Sequence, residues 1–157
     1  MTRHVSDEQV RHWLDDTVLR SVESHDESGT EFNFELELSR LPIHVIKEEQ
    51  WGPVRIVGRN GFEGEGATEL LRDDDRRSQL LQSIGPMLAA TPGFYTFLDG
   101  EGAPAALRHA STLQLEARLY PEETTQQALM DGVMGIGSCM RYVRDVVVAM
   151  TPTEREE

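Results

Sequence analysis

The chain has almost no lysine, a single cysteine and no long apolar run. Lys47 stands alone beside fourteen arginines, and Cys139 has no second cysteine with which to form an internal disulfide. No stretch of 18 apolar residues is present, which excludes a transmembrane helix. The first residues lack the apolar core of a secretory signal, so we expect a cytoplasmic protein without membrane contact.

Positive charge is scarce as well. The 28 acidic residues outnumber the 15 basic ones and give a formal net charge of -13. Nucleic-acid binding depends on neutralising phosphates, so this balance argues against a nucleic-acid partner. Carboxylates retain water in concentrated salt, where a screening length of about 3 Å removes their mutual repulsion. The composition is typical of an extreme halophile and indicates an archaeal protein, so the acidity itself points to no particular function.

The length of 157 residues favours one compact domain. We assign residues 1–150 to a single α+β domain and residues 151–157 to a short acidic C-terminal tail. A domain of this size buries roughly 70% of the surface that its unfolded chain exposes. The chain therefore has a core of its own and needs no disulfide to hold it.

The first half of the chain predicts a helix followed by three strands. Ser6 and Gln9 are typical of a capped helix start, and apolar residues recur at helical spacing as far as Val18. Residues 21–30 are polar and predict a loop. Residues 31–38 alternate perfectly between polar and apolar, which indicates a strand with one buried face. That face carries the predicted core residues Phe32, Phe34, Leu36 and Leu38.

The second half predicts a helix, two strands and a final helix. Its predicted elements are a glycine-rich loop at 58–66, a helix at 68–90, strands at 94–98 and 112–120, and a last helix from Pro121 to about Met150. The Gly85-Pro86 pair is expected to bend or interrupt the middle helix, because proline removes a backbone donor. With two short strands between residues 43 and 57, the prediction is a five-stranded antiparallel sheet in the order α-βββ-α-ββ-α.

Three segments carry a resemblance to a known fold. They are the opening helix from Ser6 to Val18, the strand Glu31–Leu38, and the junction from Thr112 to Met130, in which a strand leads into an acidic-capped helix. In this order and at this length, the chain resembles the type III secretion chaperone-like fold, shared by YbjN-like proteins and several uncharacterised archaeal families. The resemblance implies a small homodimer that binds unfolded segments of other proteins.

The familiar kinds of site are not predicted. Glu63 and Glu65 would repel a phosphate from the loop at 58–66, which we interpret as a flexible connector. The aspartates at 73–75 splay by about 100° per residue around a helix and cannot converge on one cation. The five histidines include no i, i+4 pair on a predicted helix, so no metal or cofactor is expected. Cys139 lies among apolar helix residues and is interpreted as an inert buried thiol.

The last helix is the most unusual segment. Each of Gly132, Gly135 and Gly137 costs a helix about 1 kcal/mol relative to alanine. The glycines indicate either a break or the close approach of another backbone, within the chain or across a dimer. The helix also carries four methionines, which either fill the core or form an adaptable binding groove.

We therefore predict a non-enzymatic protein-interaction module that forms a homodimer. It would bind a peptide segment or a partner helix, either by adding a strand at a sheet edge or through a Met-lined groove. The predicted self-association residues are Val133, Met134, Gly135 and Gly137. An alternative is a regulatory domain that binds a small ligand or a cation at the loop 58–66 and the polar strand faces. An enzyme would require two residues of a candidate set to converge in a pocket: His44, His109, Asp99 and Glu116.

Overall fold

The computed structural model describes residues 4–14, 20–24, 29–38, 40–62 and 64–151. Its elements are α1 (Asp7–Trp13), β1 (Arg20–Ser24), β2 (Phe32–Leu38), β3 (Leu41–Lys47), β4 (Val54–Gly61), α2 (Glu65–Arg72), α3 (Asp74–Ala90), β5 (Phe94–Leu98), a short 3₁₀ turn (Leu107–His109), β6 (Thr112–Leu119) and α4 (Gln126–Met150). The fold is α+β, as predicted. The predicted acidic tail lies outside the described residues, apart from its first position.

The sheet is antiparallel and has six strands in the order β1-β2-β3-β4-β6-β5. The prediction of five strands was wrong, because β1 occupies part of the segment predicted as a loop. Its sequence, RSVES, contains one apolar residue and so gives no alternating pattern. Such polar strands are typical of a sheet edge, where pairing with one neighbour is enough to hold them.

The first helix begins as predicted. The Ser6 hydroxyl accepts a hydrogen bond from the Gln9 amide at 3.2 Å, and Asp7 and Glu8 occupy the first turn. The helix ends at Trp13, with Leu14 as its extended C-cap, so it is shorter than predicted. The predicted end at Val18 lies outside the described residues.

The prediction of a loop at 58–66 was wrong for its first half. β4 continues to Gly61, and α2 begins at Glu65. Position 58 of this strand requires glycine, because a side chain there would overlap Met140 and come within 2.9 Å of Ile136 in α4. Glycine inside a strand is therefore a sign of close helix approach here, not of a turn.

The predicted helix at 68–90 is two helices that meet at Asp73. This residue ends α2, and its carboxylate accepts hydrogen bonds from the amides of Asp75 and Arg76 at 3.0 and 3.1 Å to begin α3. An aspartate satisfies free backbone donors well at a helix start, which explains the division. α3 then continues through Pro86, so the predicted interruption at that point was wrong.

The last helix begins later than predicted. Pro121 lies in a turn, and Thr125 caps α4 by accepting a hydrogen bond from the Ala128 amide at 3.1 Å. The helix is continuous for 25 residues to Met150 despite its glycines. Among the described residues, no helix combines the length and apolarity needed to span a membrane.

α4 packs against one face of the sheet, which we call the covered face. Gly137 leaves room for Leu38 and Ile43, while Gly132 leaves room for Ile56. α1 and α3 in turn contact α4, so a layer of helices closes the core on this side. The covered face includes the buried side chains Phe32, Phe34, Leu36, Ile43, Val45, Lys47, Val54, Ile56, Asn60, Leu113, Leu115 and Ala117.

Candidate functional site

The other face of the sheet carries a different set of side chains, which we call the open face. Strand residues alternate between faces, so the strand register places these side chains in three rows across the strands. The rows are Asn33, Ile46, Arg55 and Arg118; Glu23, Glu35, His44, Val57, Glu116 and Phe94; and Glu37, Pro42, Arg59, Gln114 and Thr96. Most are half-buried or exposed, in contrast to the residues beneath α4.

Glu116 is the centre of a charge network on the open face. Its residue surface is 1% exposed. One carboxylate oxygen accepts hydrogen bonds from Arg55 Nη2 at 2.6 Å and Nε at 3.2 Å, and the other accepts one from Arg118 Nε at 2.6 Å. Arg55 also pairs with Glu48 at 2.6 Å. Adjacent strands β4 and β6 therefore hold three charged side chains in a fixed geometry.

The two arginines keep Glu116 ionised. Burial alone would raise the pKa of its carboxyl group, but the hydrogen bonds and charges of Arg55 and Arg118 outweigh burial and lower the pKa. The same contacts raise the pKa of Arg55. The network therefore stays charged at neutral pH and fixes the direction of both guanidinium groups.

An exposed aromatic ring lies beside this network. Phe94 begins β5 and is 46% exposed, and the guanidinium carbon of Arg118 lies 5.2 Å from its ring centroid. Gly93 determines this placement, because it has φ +87 and a side chain there would overlap the backbone of Glu116 and Ala117. Only glycine allows β5 to start so close to β6.

The open face is divided by charge. Arg55, Arg59 and Arg118 lie on β4 and β6 together with Glu116, whereas Glu23, Glu35 and Glu37 lie on β1 and β2. The acidic half contains a depression of about 370 Å³, and its lining is Glu23, Glu35, Leu36, Glu37, Arg40 and Pro42. Between the halves, β3 presents Pro42, His44 and Ile46. Three arginines around one carboxylate therefore lie on one side of the face, and most of its carboxylates lie on the other side.

The predicted self-association residues lie on α4, away from the open face. Val133 is 0% exposed and belongs to the core, and Gly137 packs on the side chains of Leu38 and Ile43. A side chain at Gly135 would lie 2.8 Å from Pro92, whereas Met134 is 38% exposed. Contacts within the chain therefore account for the glycines without a second copy.

The other candidates are not brought together. Cys139 is buried as predicted, and burial raises the pKa of its thiol. Asp99 accepts hydrogen bonds from the amides of Glu101 and Ala103 and so holds a turn. His44 lies two strands from Glu116 in the same row, and His109 lies in the 3₁₀ turn. In the part of the chain that the structure describes, no group of three His, Cys, Asp or Glu side chains is placed to hold a metal.

Sequence reasoning named the polar strand faces only as part of a small-ligand site and did not predict the network around Glu116. The alternation of Gln114, Glu116 and Arg118 indicated a polar strand face, but Arg55 lies 61 residues before Glu116. Only the register between β4 and β6 brings these charges together. Both segments carried a usable signal. Arg55 and Arg59 interrupt the apolar residues of 54–61, and Glu116 and Arg118 interrupt those of 112–119.

Comparison with protein-family models found no match, and comparison with curated proteins found none either. By structure, the chain is similar to an uncharacterized protein from Methanothermobacter thermautotrophicus, known from a crystal structure. The TM-score is 0.72 at 11% sequence identity, over 94% of this chain and 100% of that chain. At this identity the likeness shows the fold alone. An α+β fold with this architecture is therefore shared with a protein from an archaeon.

Proposed function

We propose that the chain is a non-enzymatic protein-interaction domain and that the open face is its docking surface. The observation that carries the proposal is the Glu116 network, in which a buried carboxylate orients two guanidinium groups beside an exposed phenyl ring. Arginine and aromatic side chains held rigidly on a surface are the groups that dominate protein interfaces. Because the geometry is already fixed, docking loses little side-chain freedom.

The described residues support this role better than the ligand-binding alternative. That alternative needed the loop at 58–66 beside the polar strand faces, and Gly58 and Gly61 belong to β4 instead. The positive groups of the open face are also not available as a simple anion site. Arg55 and Arg118 share the charge of Glu116, and Arg59 donates to Gln114 at 2.9 Å. A partner that replaces water around these paired groups fits better than a small anion.

We further propose that the chain belongs with the type III secretion chaperone-like fold. The opening helix, the antiparallel sheet and the long final helix after β6 support this assignment. Within that interpretation the domain is chaperone-like in binding another polypeptide. It acts in a halophilic archaeon, where the acidic surface outside the docking face retains water.

A photo-crosslinking experiment tests the docking surface. Phe94 is replaced with a photo-reactive phenylalanine analogue, which preserves an aromatic ring at an exposed position of the open face. Tyr142, 37% exposed on α4, receives the same analogue as a matched control. We expect adducts from position 94 in cells of the source organism and few from position 142. Equal labelling from both positions, or none from position 94, contradicts the proposal.

A further inference from the structure

We infer that residues 4–14, which we call the N-terminal segment, open away from the domain as a unit, and that this opening exposes Lys47 while the rest of the domain stays folded. The opening takes place on the covered face and is independent of docking at the open face. Lys47 is the single lysine of the chain, a feature that the proposed function leaves unexplained. The fourteen other Lys or Arg positions all carry arginine.

The N-terminal segment closes over the ammonium group of Lys47. The residue is 1% exposed, and its Nζ donates to the Val5 carbonyl at 2.6 Å. An ammonium group has three donors, and burying it against a neutral carbonyl costs free energy. The charge of Glu31 does not compensate, because burial still lowers the pKa of Lys47. Opening of the segment returns this group to water, and that gain favours the open form.

The N-terminal segment is held mainly by apolar side chains. Its buried apolar residues are Val5, Val10 and Leu14. Helix α1 packs on α4, where Gln126 Nε2 donates to the Trp13 carbonyl at 3.3 Å. His4 meets the ring of Trp51 edge-on at 5.7 Å, and both of these residues are exposed. A chain end held in this way opens at a lower free-energy cost than the central strands and helices.

The sheet, α3 and α4 make a separate set of contacts. Helix α4 packs on β3, β4 and β6, and α3 packs on α4. Tyr142 donates to the Ser83 carbonyl at 3.0 Å, and it lies sixteen residues, or roughly 24 Å, beyond Gln126 on the same helix. These contacts therefore persist when the N-terminal segment leaves. The open form presents Lys47 and the adjoining part of α4 to solvent, so whatever binds there selects that form.

Position 47 favours lysine over arginine for a physical reason. A close-packed interior accepts added volume poorly, and a guanidinium group is larger than an ammonium group and keeps its charge. Arginine at this position would press on the Val5 backbone, which already lies 2.6 Å from Nζ. Lysine fits the closed form, and its buried charge keeps that form easy to open.

Acylation of the single lysine measures the opening. The probe is the N-hydroxysuccinimide ester of acetic acid, applied to the full chain in molar KCl, and mass spectrometry of the peptide that contains Lys47 follows the labelling. Ser6→Ala removes the hydroxyl that caps α1 and should raise the labelling rate about fivefold. Ile84→Val is the matched control, because this α3 residue is 0% exposed and its truncation destabilises the whole domain to a similar extent. The control should label at the wild-type rate.

The two variants distinguish local opening from global unfolding. Faster labelling of Ser6→Ala with an unchanged rate for Ile84→Val supports the inference. Equal increases in both variants overturn it, because labelling then requires the whole domain to unfold. An unchanged rate in Ser6→Ala also overturns it, as does labelling of the wild type at the rate of a free lysine side chain, since the segment would then not protect Lys47.

Hydrogen exchange tests the choice of lysine. The Leu14 amide donates to the Val10 carbonyl at 3.0 Å and reports on the N-terminal segment. Lys47→Arg should speed its exchange by roughly tenfold or more, while the amides of α4 beyond Tyr142 keep their wild-type rates. Unchanged exchange at Leu14 would show that the closed form accepts arginine. Faster exchange throughout α4 would show that position 47 supports the whole domain, and either result contradicts the role given to Lys47.

Discussion

The covered face buries Lys47 and the open face buries Glu116, each with 1% of its surface exposed. Beneath the helices, Lys47 donates to the Val5 carbonyl at 2.6 Å, but burial lowers its pKa in spite of the nearby charge of Glu31. On the open face, Arg55 and Arg118 outweigh burial and keep Glu116 charged. One face therefore disfavours charge, and the other is arranged to maintain it.

This difference agrees with the roles that we propose for the two faces. A closed core gains most from apolar contact, and a charge within it is a cost. A network of fixed, partly buried charges contributes little to stability compared with well-packed apolar residues, but it gives specificity in recognition. Under the proposed function, the contrast between the faces separates residues that hold the fold from residues that select a partner.

The largest expected effect is the loss of an apolar side chain from the covered face. Leu115 is 1% exposed beneath α4, and Leu115→Ala should lower the free energy of unfolding by about 3 kcal/mol through lost burial and a cavity. Denaturant unfolding in concentrated KCl measures the change. Gln114→Ala, next in sequence but on the open face, is the matched control and should change it by less than about 0.5 kcal/mol. Similar losses for both variants would show that the open face is also part of the core.

A second, smaller effect is expected at Glu116. Glu116→Gln removes the charge shared by Arg55 and Arg118 and should lower the free energy of unfolding by about 2 kcal/mol at neutral pH. The pKa of Glu116 is lowered in the folded protein, so its contribution is present above the unfolded value of about 4.3. It is lost as the pH falls through the folded pKa.

The pH dependence is the decisive part of that test. The difference in the free energy of unfolding between the wild type and Glu116→Gln should be constant above about pH 5 and shrink below about pH 4. Measuring the difference removes the contribution of the other acidic residues, which both proteins share. A difference that persists unchanged in acid would mean that Glu116 acts through shape and not through charge.

The sequence predicted the two faces better than it predicted what lies on them. The alternation in 31–38 correctly indicated a strand with a buried side, observed as β2, and the Ser6 cap was correct. Strand β1 was missed because its residues carry no apolar pattern. Gly58 was misread because close helix packing and a turn both select glycine. The pairing of Arg55 with Glu116 depends on strand register, which local pattern does not encode.

At Lys47 we expect a small effect that tests the covered face. Lys47→Met removes a buried ammonium group but leaves the Val5 carbonyl without this donor. Because these two effects nearly cancel, the free energy of unfolding should change by less than about 1 kcal/mol at neutral pH. Because burial lowers the pKa of Lys47, the wild type should gain stability relative to the variant as the pH rises from the folded pKa toward 10.5. Unfolding at neutral and alkaline pH measures this gain. Parallel pH profiles would show that the covered face does not disfavour the charge.

The smallest expected effect concerns the outer side of α4, where self-association was first predicted. Met134 is 38% exposed, so Met134→Glu should change the free energy of unfolding by less than about 0.5 kcal/mol. If the open face is the interface, the sedimentation coefficient should also stay that of the wild type at every protein concentration. A seam along α4 would instead bring two new carboxylates together across the two-fold axis and dissociate the dimer. A lower sedimentation coefficient for Met134→Glu than for the wild type would assign self-association to the helix layer and leave the open face for another partner.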